Sequence, residues 1–264
     1  NRSELLTSFY ACALTGVRLV TVDPRVNDAD VLSEVLKEVQ PSTVLYSPSG
    51  KRDERARVLG QLIPEIVDAD CGMMQEPIRN RTFNKLRTVV STEWEHPQYH
   101  GVLEFRGLLV EQCFPDLVAE VSRRLKDEPD TTILRSYAYS EGKLWKSKDL
   151  SQKEVSEYGE EVATKLGLTA DSIVGLDLPM FEPISLISAV ACLERNAMFF
   201  VPQAIPTLAS TLEMTEKENV THLITKESHA QQLKQSHPKL LKMALYPTEC
   251  CVCKPMSGLK VESF

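Results

Sequence analysis

The chain has 264 residues, 42% of them hydrophobic and 25% charged, with a formal net charge of −7. That length can bury a substantial core in one large or two modest domains, and the composition is that of an ordinary globular protein rather than a disordered or fibrous one. The negative balance argues against general affinity for nucleic acid or anionic lipid, and no run approaches the roughly 20 apolar residues of a membrane span.

In chain order, Leu5, Leu6, Phe9, Tyr10 and Leu14 recur at helical spacing, and Gly16 stops the helix before a short apolar run from Leu19 to Val22. Val31, Leu32, Val35, Leu36 and Val39 mark a second helix ended by Pro41, with a strand over 43–46 after it, and helical spacing returns from Val58 to Ile66. Residues 68–82 and 92–101 read as surface connections. Leu117, Val118, Val121 and Leu125 are again helical in spacing, before Pro129. A longer helix is predicted over 152–166, opened by the capping-box pair Ser151 and Glu154 and closed by Gly167. A helix over 184–193, a strand over 197–201, a helix over 208–217, a strand over 221–225 and a helix over 228–235 follow. The alternation predicts an α/β protein of layered, largely parallel sheets with flanking helices.

Seven cysteines at scattered positions, an odd number, favour free thiols and a reducing intracellular compartment over a disulfide framework. Cys250-Cys251-Val252-Cys253, with His222 and His237 upstream, lacks the C-x2-C spacing of a zinc site, so no metal is expected. His222 itself, within Val220-Thr221-His222-Leu223, reads as a packing histidine. The basic pairs Lys51-Arg52 and Arg123-Arg124 read as solvated faces. The first residue is Asn1 rather than Met, and no signal-peptide pattern opens the chain, so a preceding part is expected to have been removed or to lie outside the sequence.

The stretch Ile133-Leu134-Arg135-Ser136-Tyr137-Ala138-Tyr139-Ser140-Glu141-Gly142-Lys143-Leu144 resembles the phosphate-binding loop Y-T-S-G-T-T-G-x-P-K-G of the adenylate-forming acyl-CoA synthetase superfamily. Aligned without a gap, it keeps Ser136 and Lys143 but places Tyr137, Ser140 and Leu144 where the family has glycine. Other segments are similar in order and spacing: Asn1 to Glu4, Thr15-Gly16-Val17, Val22-Asp23-Pro24, Leu86 to Val90, Gly101 to Phe105, Asp127 to Asp130, Leu166-Gly167-Leu168, Leu178-Pro179-Met180-Phe181 and Asn219 to Leu223. The resemblance implies part of that family's large N-terminal domain, with a boundary near Asp130. Residues 1–130 would form a first α/β subdomain, incomplete at its N-terminus. Residues 131–264 would form a second, beginning with the loop, and the two would pack as one body.

The resemblance also carries three departures. Glycine lets backbone N–H groups approach phosphate, and bulky Tyr137 and Leu144 obstruct that approach. Ser136, Ser140 and Lys143 then stand as a vestigial nucleotide-binding loop. Glu182 occupies the family's L-P-x-F-H histidine position, where a carboxylate repels a carboxylate substrate. Pro247-Thr248-Glu249-Cys250 falls at the family's S-G-G-A-P segment, and the adenine, ribose and C-terminal motifs that follow it there are not found before Phe264. The expectation is therefore a non-catalytic structural or accessory subunit of a larger assembly, with the mitochondrion as its expected compartment, no catalytic residue and no cofactor. Its partners would be other protein subunits, without membrane insertion or nucleic-acid contact. The alternative is a fragment of an active carboxylic acid–CoA ligase using ATP, Mg and CoA.

Overall fold

The computed structural model describes residues 3–48, 54–68, 77–92, 101–110, 116, 119–121, 123, 131–203, 206–236, 240–246 and 260–263. Two compact units arise, Asn1–Asp23 together with Asp116–Phe264, and Pro24–Pro115. The division differs from a single cut near residue 130 because the first strand pairs far along the chain.

In the larger unit, α1 (Ser3–Thr15) ends at Gly16, whose φ of 67° is the left-handed conformation the turn into β1 (Leu19–Val22) requires. β1 lies parallel to β5 (Thr132–Ser140), with Leu19 opposite Leu134 and Val22 opposite Tyr137. β6 (Lys143–Lys146) and β7 (Leu150–Ser151) both pair antiparallel with β5 and complete this sheet.

The smaller unit holds α2 (Ala29–Val39), β2 (Thr43–Tyr46), α3 (Glu54–Leu62), α4 (Glu65–Asp68), β3 (Thr88–Ser91), β4 (Leu103–Glu104) and α5 (Phe105–Val110). Its parallel sheet runs β2-β3-β4. The helical run expected over 58–66 is broken into α3 and α4 at Pro64, which cannot supply an N–H to a continuous helix. Leu59, Ile63, Ile66, Phe83 and Val89 form its core.

The second sheet of the larger unit is the better built. α6 (Gln152–Leu166) has the expected capping box: Ser151 Oγ accepts from the Glu154 N–H at 3.2 Å, and Glu154 Oε2 accepts from the Ser151 N–H at 3.0 Å. Gly167 closes it at φ 65°. β8 (Ile173–Leu176), α7 (Pro183–Glu194), β9 (Met198–Phe200), α8 (Leu208–Lys217), β10 (His222–Lys226), α9 (Glu227–Ser236), β11 (Lys242–Tyr246) and β12 (Lys260–Ser263) follow. The strand order is β12-β11-β10-β8-β9, parallel except for β12.

Strand alternation explains the layering. Val174, Leu176, Ile224 and Ala244 pack with α6 and α7, while Leu223, Met243 and Leu245 pack with Met214, Ala230 and Leu233 of α8 and α9. A sheet covered on both faces needs apolar residues at successive positions, which Leu223-Ile224 in β10 and Met243-Ala244-Leu245 in β11 supply.

His222 opens β10 at 5% exposure, its Nδ1 2.8 Å from Thr221 Oγ1. Burial, with Lys242 nearby, holds its pKa below the ordinary 6.5. The unfolded chain therefore takes up the proton first, so His222's contribution is complete above about pH 6.5 and is lost as the pH falls, by at most ~1.4 kcal/mol per pH unit. Urea unfolding at neutral and mildly acid pH should show His222→Gln losing less stability on acidification than the parent. Equal losses would show that His222 does not set the slope.

Candidate functional site

The segment from Ser136 to Lys143 is a strand and a tight turn. Ser140 faces Lys143 across the turn, Tyr139 faces Leu144, and Ala138 faces Trp145. The two connecting residues, Glu141 and Gly142, have φ of 52° and 73°. Positive φ at both central positions is the geometry of a two-residue hairpin turn whose twist matches its strands. Glycine suits this conformation and glutamate does not, so the ladder and not the turn residue fixes the hairpin.

The hairpin separates the three expected loop residues. Ser140 and Lys143 are exposed cross-strand partners, whereas Ser136 lies four residues down the strand, ~13 Å away at strand rise, and is fully buried. Its Oγ is 2.7 Å from Thr21 Oγ1, its N–H donates to Ser147 Oγ at 2.8 Å, and its carbonyl accepts from the Ser147 N–H at 2.9 Å. Thr21 Oγ1 in turn donates to the Phe181 carbonyl at 2.7 Å. Ser136 is thereby tied to the 178–182 segment through Thr21, while Ser140 and Lys143 stand apart.

Other contacts stiffen the hairpin. Arg135 binds Asp149 with both Nε and Nη2, and this hydrogen bonding holds the Asp149 carboxyl below the usual carboxylate range. Asp23, 2% exposed, accepts the Tyr139 N–H at 3.1 Å.

Glu182 is the residue before α7, at 9% exposure, with Pro183 in the first turn. Its side chain makes no capping bond to the helix, but its carbonyl accepts the Ser185 N–H at 3.0 Å. The departure from histidine thus sits beside the Phe181 carbonyl that Thr21 holds. Of the residues weighed for zinc, His222 is buried against Thr221, and His237 and Cys250–Cys253 lie outside the described residues. No group of three or more metal-ligating side chains occurs among the described residues.

Among the described residues, a buried polar cluster that the sequence alone does not reveal surrounds Asp177. Asp177, 1% exposed, follows β8, and its Oδ1 accepts from Thr211 Oγ1 at 2.6 Å. Its Oδ2 accepts from Thr225 Oγ1 at 2.5 Å and from His229 Nδ1 at 2.6 Å. β8 leads by way of α7 to β9 on one side, and β10 leads by way of α9 to β11 on the other, so the chain reverses direction between β8 and β10. The carboxyl ends of parallel strands at such a reversal are where open α/β sheets bind ligands. Here that place holds a carboxylate with three donors, and a His229 side chain 24% exposed that turns its other nitrogen away from Asp177. The arrangement ties α8, α9 and two strand ends together. A signal was present, since Asp177 directly ends the apolar run Ile173–Leu176, but its partners cannot be read locally.

Among the described residues, no helix is long and apolar enough to cross a membrane. No sequence-family profile matches the chain, and no curated protein does. Solved structures do. One described as a long-chain-fatty-acid CoA ligase from Rhodopseudomonas palustris CGA009 matches 95% of this chain with 55% of its own, at TM-score 0.65 and 18% identity. The apo structure of MbtA from Mycobacterium smegmatis matches 93% of this chain with 40% of its own, at TM-score 0.62 and 13% identity. The inhibitor-bound N-terminal domain of FACL13 from Mycobacterium tuberculosis matches 93% with 54%, at TM-score 0.61 and 15% identity. The chain spans about half the length of these structures or less, and at such identities the fold is what they share. This chain carries the α/β fold seen in the N-terminal domains of acyl-CoA synthetases.

Proposed function

We propose that this chain does not adenylate a carboxylic acid and acts as a structural or accessory subunit of a larger protein assembly, in a reducing compartment and by preference the mitochondrion. The observation that carries the reading is the two-residue turn Glu141-Gly142. A phosphate cradle needs several backbone N–H groups pointing into one concavity. Between Tyr137 and Lys146 the strand residues instead face one another in a continuous antiparallel ladder, and Ser136 spends its hydroxyl on Thr21.

A second reading, a segment of an ATP-dependent carboxylic acid–CoA ligase, is supported by the likeness to acyl-CoA ligases. In that reading ATP, Mg and CoA are the cofactors, and of the loop residues Ser136, Ser140 and Lys143 the exposed Ser140 and Lys143 contact phosphate while buried Ser136 supports the strand beneath them.

Titration of the natively isolated protein with ATP and magnesium separates the two. The accessory reading expects no thermal shift, no carboxylate-dependent pyrophosphate exchange, and elution in a stoichiometric complex. Saturable stabilisation, of about 2.7 kcal/mol at a hundredfold excess over Kd, together with exchange, would establish the ligase reading instead.

A further inference from the structure

We propose that residues 77–87 of the smaller unit form a binding site for a small phosphate-bearing anion. Four of these eleven residues, Arg79, Arg81, Lys85 and Arg87, are basic and none is acidic, in a chain whose net charge is −7. The segment is neither helix nor strand. Its ends are joined, since the Ile78 N–H donates to the Arg87 carbonyl at 2.9 Å, and the Arg87 N–H donates to the Ser42 carbonyl at 2.8 Å beside β2. A loop of this length with tied ends, packed by its own side chains, is an Ω-loop, a form often used for binding.

Its alternation separates anchors from charges. Ile78, Phe83 and Leu86 are buried in the core of the unit, while the four basic side chains are exposed. Asn80, 9% exposed, fixes the turn: its Oδ1 accepts the N–H groups of Thr82 and Phe83, each at 2.9 Å, and its Nδ2 donates to Glu65 Oε2 at 3.0 Å. Arg87 Nη1 donates to the carbonyls of Asn84 and Leu86 at 2.7 and 2.9 Å, which holds its guanidinium in place before any ligand arrives.

Arg79, Arg81 and Arg87, with Asn80 and Asn84, line one hollow of about 400 Å³. That size suits a small molecule rather than a macromolecular surface. Guanidinium groups pair with phosphate oxygens through two parallel hydrogen bonds, and a preset loop loses little freedom on binding. A long polyanion would also meet the field of a chain with net charge −7, which a small anion in the hollow largely avoids. This site is independent of the hairpin and of the function proposed above.

The probe is inorganic tripolyphosphate, titrated calorimetrically at about 150 mM salt, where loose surface attraction is screened. Saturable binding below about 1 mM is expected, with Arg81→Gln weakening it about tenfold and a change at an exposed lysine of α6, Lys153→Gln, leaving it unchanged. Arg81 is exposed on the loop, so its variant should fold as the parent does. Arg87→Lys tests geometry, since it keeps the charge and loses the fork. Absence of saturation, equal affinity of Arg81→Gln and parent, or loss on Lys153→Gln would each overturn the assignment. So would tighter binding of a short single-stranded RNA that is lost on Arg81→Gln, which would make the loop a nucleic-acid contact.

Discussion

Asp177→Ala is expected to destabilise the larger unit by about 3–5 kcal/mol, the range for breaking a buried, hydrogen-bonded charged group. The carboxylate is fully buried and receives three donors from three elements. Removing it leaves the Thr211 and Thr225 hydroxyls and His229 Nδ1 to find other partners inside the sheet end. Asp177→Asn should cost less, since its amide oxygen still accepts from Thr211 and both Thr225 and His229 can reorient. His229→Ala should cost less again, because that ring is partly exposed and each threonine keeps its bond to the carboxylate. Urea unfolding of Asp177→Ala, His229→Ala and the variant carrying both gives the coupling, expected at about 1–3 kcal/mol. A loss below about 1 kcal/mol for Asp177→Ala, against the range for a buried polar group, would show that the cluster does not clamp the sheet.

The contrast between this cluster and the elements around it shows what was legible. The helix over 152–166 was readable because its signals are local: Ser151 and Glu154 are three residues apart, and Gly167 adopts the left-handed conformation that ends it. β10 falls on the strand expected over 221–225, whereas β8, over Ile173–Leu176, has no counterpart among the expected strands. Asp177 meets its partners across 34, 48 and 52 residues, and nothing in the local pattern of Thr211 or Thr225 separates a buried hydroxyl from a surface one. The same limit hides the pairing of Leu19 with Leu134 across 115 positions, which groups α1 and β1 with the later part of the chain. The hairpin is hidden for a different reason. Glu141-Gly142 is a weak form of the Asn-Gly turn signal, and Tyr137 and Tyr139 carry a period of two over too short a run to stand out against the resemblance to a loop.

Tyr137→Gly, the change that restores a family glycine, is expected to cost about 4 kcal/mol and to add no nucleotide binding. Tyr137 is 1% exposed and among the largest fully buried side chains of the described residues. Its loss opens a cavity, and glycine in the middle of a strand adds backbone entropy to be lost on folding. The backbone at this position stands between two strands, opposite Val22 of β1 and Lys146 of β6, and its carbonyl accepts the Asp23 N–H at 2.8 Å. A smaller side chain does not turn that peptide toward a ligand, because the ladder on both sides holds its direction. Leu144→Gly and Ser140→Gly, at partly exposed and exposed ladder positions, should each cost about 1 kcal/mol or less and leave ATP titrations flat. The decisive comparison is therefore stability against binding in the same variant. A Tyr137→Gly protein that keeps the parent's unfolding midpoint and gains saturable ATP affinity would mean that side-chain bulk, rather than the two-residue turn, keeps phosphate out, and the accessory reading would fall with it.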